Sequence, residues 1–194
     1  MRHFVFLEFL DPLVISTLRE LRSAFQSNIS QSSPVHITLR GPYRNEPDQA
    51  TLRDLSEKLC GQGVRIIGCG IFAVSGGYSV FLRAESAAFR ELWWKPDYKT
   101  SLDNIQPHLT MYQAASRSDA LLVLNFLRAA KINILAYSVQ LTVFSTGQND
   151  LFGTKPISIK AAQNIQRRDI VAVDPEVLVA AKELGTRLAR RGRV

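Results

Sequence analysis

The sequence has few of the residues that build metal centres and redox sites. Among its 194 residues are two cysteines, Cys60 and Cys69, and three histidines. The cysteine spacing fits no metal-binding or redox motif, so we interpret both as reduced core residues. A zinc site normally takes three or four protein ligands, and the short stretches that contain His36 and His108 bring no third His, no Cys and no adjacent carboxylate. The sequence therefore predicts no bound metal.

Long hydrophobic runs and nucleotide-binding motifs are also missing. The apolar segment 4–10 is broken by Glu8 and ends at Asp11-Pro12. It is too short and too interrupted for a signal peptide or a membrane span, and a cytoplasmic location is the default expectation. No P-loop, dinucleotide fingerprint or nucleotide-activating lysine motif is present, so we expect neither a cofactor nor ATP-driven ligation.

The overall composition is that of a soluble globular protein. Hydrophobic residues make up 46% of the chain and charged residues 21%. The formal net charge of +7 favours anionic partners such as RNA or nucleotides.

Two short stretches carry the chemistry, His36-Ile37-Thr38-Leu39 and His108-Leu109-Thr110-Met111. With three histidines and nine threonines in the chain, two such His-x-Thr pairs arise by chance in well under about one case in a hundred. As β-strands, they would place His and Thr on one face and the apolar residues in the core. Two such strands could line a cleft from both sides.

Such a cleft has the groups needed to open a cyclic phosphodiester. His36 and His108 can serve as general base and general acid near neutral pH, in an order that the sequence leaves open. The hydroxyls of Thr38 and Thr110 can donate to the phosphate. Alternation also puts Arg40 and Tyr112 on the histidine faces, where they would add a charge contact and a base-stacking ring. Tyr43 is a weaker candidate for substrate binding.

These motifs, together with the opening strand 1–9 and the order of elements up to about residue 161, resemble the two-histidine (2H) phosphoesterases. That family includes the bacterial 2'-5' RNA ligases and cyclic nucleotide phosphodiesterases. The resemblance implies two similar lobes and a substrate with a 2',3'-cyclic phosphate or a 2'-5' linkage. Many ligase-type members carry an Arg soon after the second motif, where this chain has Tyr112-Gln113. They also carry an aromatic residue soon after the first, where it has Arg40-Gly41-Pro42-Tyr43.

The hydrophobic pattern predicts an α+β fold with mainly antiparallel sheets and two pseudo-symmetric lobes in residues 1–161. Gly41-Pro42 is predicted to end the first motif strand, and a helix at 118–130, apolar nearly all round, is predicted to be buried. Residues 162–194 are predicted to form a basic C-terminal extension, and the helix within it is predicted to begin at Asp174-Pro175.

Three functions remain compatible with the residues. The first is a metal-independent hydrolase, the second a reversible 2'-5' RNA ligase using the same site in reverse, and the third an RNA-binding module of the same fold without turnover.

Overall fold

The computed structural model describes residues 2–25, 34–92, 106–146, 157–160 and 173–191. The opening strand, the two motif strands and the helix that follows the second motif are present as predicted. In chain order they are β1 (His3–Phe9), α1 (Pro12–Ala24), β2 (His36–Tyr43), α2 (Gln49–Leu59), β3 (Val64–Val74), β4 (Gly77–Glu85), α3 (Ala87–Leu92), β5 (His108–Ala114), α4 (Arg117–Ala130), β6 (Asn133–Ala136), β7 (Ser138–Ser145), β8 (Ile157–Lys160) and α5 (Pro175–Arg191).

The strands form two antiparallel sheets. Sheet A has the order β2-β1-β7-β8 and sheet B the order β5-β4-β3-β6. Every pairing within them is antiparallel. The predicted α+β class with antiparallel sheets is confirmed, as is the C-terminal helix.

Each motif strand completes a strand-helix-strand unit. In β1-α1-β2 and again in β4-α3-β5, the last strand pairs antiparallel with the first and lies at one edge of its sheet as described. A helix then follows each motif strand, α2 in one case and α4 in the other.

Local sequence signals start the helices. Asp11 accepts hydrogen bonds from the backbone amides of Leu13 and Val14 at 2.9 and 3.2 Å, and Pro12 occupies the first turn. This N-cap satisfies amides that would otherwise lack partners. Asp48 and Ser116 cap α2 and α4 in the same way.

The hydrophobic core lies between the sheets and the helices. It takes the apolar residues of both motif strands, as alternation predicted: Ile37, Leu39, Leu109 and Met111 are each no more than 1% exposed. None of the helices in the described ranges has both the length and the apolar character needed to cross a bilayer.

Three details differ from the sequence prediction. β2 continues through Gly41-Pro42 to Tyr43. Glycine permits this, because the backbone at Gly41 (φ 118°) lies so close to β1 that a Cβ there would be 2.7 Å from the carbonyl oxygen of His3. α4 is buried on one face only, and Leu121 and Leu122 are each 37% exposed on the other. The strand β6 had not been predicted, since four residues give too short a pattern.

The C-terminal helix packs against the body of the protein. Ala181, Leu184 and Leu188 of α5 are buried, and α5 contacts both α1 and α4. Gly185 makes the approach possible, because a Cβ at this position would lie 1.7 Å from the carbonyl oxygen of Ala24. The predicted boundary between residues 1–161 and 162–194 stays a prediction, since residues 161–172 lie outside the described ranges.

Candidate active site

The two motif strands meet where the sheets come together. β2 and β5 approach to within 8 Å between Cα atoms. Along both strands, half-buried or exposed motif residues alternate with fully buried apolar ones. The structure thus brings the strand carrying His36 and Thr38 close to the strand carrying His108 and Thr110.

Both imidazoles are held by the same local bond. Nδ1 of His36 bonds the carbonyl oxygen of Pro34 at 2.9 Å, and Nδ1 of His108 bonds the carbonyl oxygen of Gln106 at 2.7 Å. A carbonyl oxygen can only accept, so Nδ1 must carry a proton in each ring. In the neutral form the lone pair is therefore on Nε2, which is the atom able to exchange a proton with a ligand.

Arg22 of α1 supports the first of these bonds. Its side chain is 7% exposed, and Nη1 donates to the carbonyl oxygen of Pro34 at 3.4 Å, the same oxygen that accepts from His36. The sequence did not mark Arg22 as a site residue, since a basic residue inside an amphipathic helix is usually solvated.

Both imidazoles are shifted toward the neutral form. Burial lowers the pKa of His36; the bond to Pro34 and the carboxylate of Glu8 oppose this effect, whereas the charges of Arg22 and His108 add to it. Burial also lowers the pKa of His108, and the bond to Gln106 opposes that change. The charge of His108 acts on His36, so the two rings lie within electrostatic reach of one another.

Aromatic rings surround each imidazole, and the sequence analysis missed them. His36 stacks on Phe6 with ring centroids 3.7 Å apart and planes 14° apart. His108 lies 5.0 Å from Phe81 and 5.2 Å from Phe72. Phe72 is 38% exposed, so it offers an aromatic surface to a ligand beside His108. The signal for these rings was weak, because it required the register of neighbouring strands.

Thr38 and Thr110 occupy equivalent positions. Thr38 pairs with Phe6 across sheet A, and Thr110 pairs with Phe81 across sheet B. Since directly opposed residues share a face of the sheet, each threonine lies on the face of its histidine. Thr38 is exposed and Thr110 is half-buried. Their role as phosphate donors stays a prediction.

Arg40 and Tyr112 do not follow the predicted alternation. After Thr38 the register shifts so that Arg40 pairs with Val5, and after Thr110 it shifts so that Tyr112 pairs with Val80. Val5 and Val80 are fully buried in the core, so both bulges turn the next residue away from the histidine face. The expectation that Arg40 and Tyr112 share that face is wrong.

Their observed contacts agree with this placement. Arg40 Nη1 donates to the carbonyl oxygen of Leu92 at 2.8 Å. Tyr112 packs edge-on against Phe25, and burial followed by the charge of Asp119 on α4 raises the pKa of its phenol. Tyr43 pairs with His3 and packs partly buried against the core. Substrate contact by Arg40, Tyr112 or Tyr43 stays a prediction.

A metal could bind only where several donor side chains converge. In the part of the chain that the structure describes, no group of three or more His, Cys, Asp or Glu side chains is placed to hold a metal ion. His3 lies elsewhere on sheet A, with Nδ1 2.7 Å from Oγ of Ser145.

Comparison with known proteins finds similarity to solved structures at low sequence identity. No protein-family model matches the sequence, and no curated protein matches it. Two solved structures of Usb1 from Kluyveromyces marxianus, one of them with uridine monophosphate, are similar at 12% identity. Each match covers 82% of this chain and 97% of that protein, with TM-scores of 0.37 and 0.36.

Proposed function

We propose that this protein is a metal-independent phosphoesterase that hydrolyses a cyclic phosphodiester or a 2'-5' linkage in RNA or a nucleotide. His36 and His108 are the acid-base pair. Thr38 and Thr110 hold the phosphoryl oxygens. The observation that carries the proposal is the matched pair of Nδ1-to-carbonyl bonds on two strands of different sheets that approach within 8 Å between Cα atoms, which leaves Nε2 of each ring for proton transfer.

Hydrolysis requires two proton transfers and stabilisation of charge on the phosphate. One imidazole takes a proton from water through Nε2, and the resulting oxygen attacks phosphorus. The P–O bond to the leaving ribose oxygen breaks, and the other imidazole gives that oxygen a proton. Hydroxyl donors beside the phosphate stabilise the developing negative charge.

The surroundings suit such a pair. Burial lowers the pKa of both rings, so a neutral member is readily available near pH 7. A second positive charge is disfavoured once one ring is protonated, because the two charges repel. One neutral and one protonated imidazole is the state that hydrolysis needs.

An RNA or nucleotide substrate is supported by charge and by one exposed ring. The net charge of +7 attracts polyanions. The ring of Phe72, 38% exposed and 5.2 Å from His108, can stack on a base.

The test is a panel assay on purified protein with a metal chelator present. The substrates are 2',3'-cyclic nucleotides, 2'-5' dinucleotides, ADP-ribose cyclic phosphate and cyclic dinucleotides, with products followed by chromatography. We expect turnover of at least one of them in chelator. His3→Gln is the control for loss of an imidazole outside the site, and it should keep the activity of the parent.

Three other outcomes would change this proposal. Activity that disappears in chelator and returns with zinc or manganese would contradict metal independence. Binding of RNA without turnover of any substrate would favour the RNA-binding module. Formation of a 2'-5' linkage from the same products would show the reaction running in the ligase direction.

A further inference from the structure

The two motif strands pair with their neighbours in the same register, but residues of opposite charge face the two histidines. Thr38 is opposite a buried Phe on β1, and Thr110 is opposite a buried Phe on β4. Two residues before each threonine, His36 pairs across the sheet with Glu8 of β1, whereas His108 pairs with Arg83 of β4. An acidic residue thus faces one imidazole and a basic residue the other, at matching positions.

Glu8 is fixed in place from the other side of its strand. Its Oε2 accepts from Nε2 of Gln140 at 3.0 Å, and its Oε1 accepts from Oγ1 of Thr142 at 2.8 Å. Both donors belong to β7, so the carboxylate is held between β7 and the strand of His36. The two accepted hydrogen bonds hold this side chain in position.

Other charged groups face His36 as well. Arg22 approaches from α1 and His108 from β5, and both disfavour a proton on His36. The effect of Glu8 on His36 is larger than that of either cation. Among the residues that the structure describes, no carboxylate is paired with His108 in this way; burial lowers its pKa and the bond to Gln106 opposes that change. Arg83, exposed on β4, faces it across the strand pair.

We propose that Glu8 is a positioning residue that keeps the shared proton on His36, which makes His36 the general acid and His108 the general base of hydrolysis. The assignment rests on the proposed function. In it, Nε2 of His108 takes a proton from water and the water oxygen bonds to phosphorus. As one ribose P–O bond breaks, the leaving oxygen takes the proton from Nε2 of His36. Exchange with solvent then restores both rings.

The first experiment measures the two imidazoles directly. With three histidines in the chain, NMR titration of the ring carbon-bound protons gives three resolvable curves, assigned with His36→Ala, His108→Ala and His3→Gln. We expect His36 to titrate at higher pH than His108 in the parent protein. Glu8→Gln should lower the midpoint of His36 by about half a pH unit or more and leave His108 nearly unchanged.

The control removes a carboxylate elsewhere. Glu20 on α1 is exposed and pairs with Lys182 of α5 at 2.6 Å. Glu20→Gln therefore changes the net charge by the same amount, and we expect neither ring to shift. His108 titrating at or above His36 in the parent protein would overturn the proposal, and so would equal shifts from Glu8→Gln and Glu20→Gln. If Glu8→Gln does not fold, the order of the two midpoints in the parent still decides.

The second experiment uses the rate. A general acid must be protonated, so the rate falls as pH rises through the pKa of His36. Glu8→Gln should move this alkaline limb to lower pH and leave the acid limb, set by His108, in place. Glu8→Asp keeps the charge and should restore most of the profile. A lower rate at every pH with an unmoved alkaline limb would show a merely structural role for Glu8. If the parent protein turns over no substrate, the proposed function fails, yet the titration still tests where the proton resides.

Discussion

Gly70→Ala is expected to disturb the site through a ring that the substrate need not touch. Gly70 on β3 pairs with Phe81 on β4, and an added Cβ would lie 2.4 Å from Cζ and 2.9 Å from Cε2 of that ring. Phe81 is 2% exposed and lies between Phe72 at 5.1 Å and His108 at 5.0 Å, so it cannot yield without moving one of them. The backbone at Gly70 is not in the left-handed region, so the effect is steric.

The size of the effect follows from overpacking. Inserting one methyl group into a well-packed core costs about 1–3 kcal/mol. For a chain of 194 residues, this lowers the melting temperature by roughly 2–12 °C. Displacement of His108 by a fraction of an ångström also lowers kcat, by up to about a hundredfold if it reaches 1 Å.

The assay combines thermal unfolding by circular dichroism with turnover of the best substrate in the panel. The matched control is the double variant Gly70→Ala, Phe81→Leu, in which the smaller side chain leaves room for the methyl group. We expect it to be more stable than Gly70→Ala alone. A Gly70→Ala protein with the parent's melting temperature and activity would refute the contact between Gly70, Phe81 and His108.

Three further predictions concern the motif residues. His36→Ala and His108→Ala should each lower kcat by about 10²- to 10⁴-fold with the fold retained. The double variant should lose less than the product of the two losses. Near-normal rates in either single variant, measured on the same panel, would make the motifs structural. Thr38→Val and Thr110→Val should each cost about tenfold to a hundredfold in kcat in steady-state assays, because one donor to the developing charge is lost, and an unchanged kcat would remove that role. Burial lowers the pKa of both imidazoles, so the unfolded state binds more protons and the free energy of unfolding should fall as pH drops below about 6.5. Urea titrations at several pH values should show that the free energy of unfolding falls less steeply with pH when both His36 and His108 are replaced by Ala. An equal slope in the parent protein and this variant would contradict this account.

The local sequence pattern was enough to predict which residues of the two motifs are buried. Two-residue alternation depends only on successive side chains pointing to opposite faces, and it correctly put four motif residues in the core: Ile37, Leu39, Leu109 and Met111. The bonds by which Asp11 and Asp48 cap their helices are equally local, because each runs to an amide two or three residues away.

The face on which the residues after each motif lie could not be predicted in this way. A bulge adds one residue to one strand, and its presence depends on the partner strand rather than on the local pattern. Alternation therefore put Arg40 and Tyr112 on the wrong face, one residue beyond a register shift in each case.

The charge asymmetry at the site was beyond the sequence for a related reason. Glu8 became a candidate only when strand pairing placed it opposite His36 and hydrogen-bonded it to Gln140, 132 positions away. Phe72 and Phe81 likewise needed the register of sheet B. Where side chains from distant strands converge, no short window of sequence contains the signal.

The two sheets differ in how much of the chain must exist before they can close. Sheet B uses the continuous stretch from Val64 to Ala136, whereas β1 of sheet A pairs with β7, which begins at Ser138. At roughly 5–20 residues per second, the ribosome needs about 6–26 s to reach Ser138 after Phe9. The strands β3, β4 and β5 of sheet B, with His108 on the last of them, are complete at Ala114 and can pair during synthesis while β1 still lacks its second neighbour. During that interval the edge of β1 that later pairs with β7 has unpaired backbone groups. The incomplete chain is therefore prone to strand pairing with other chains.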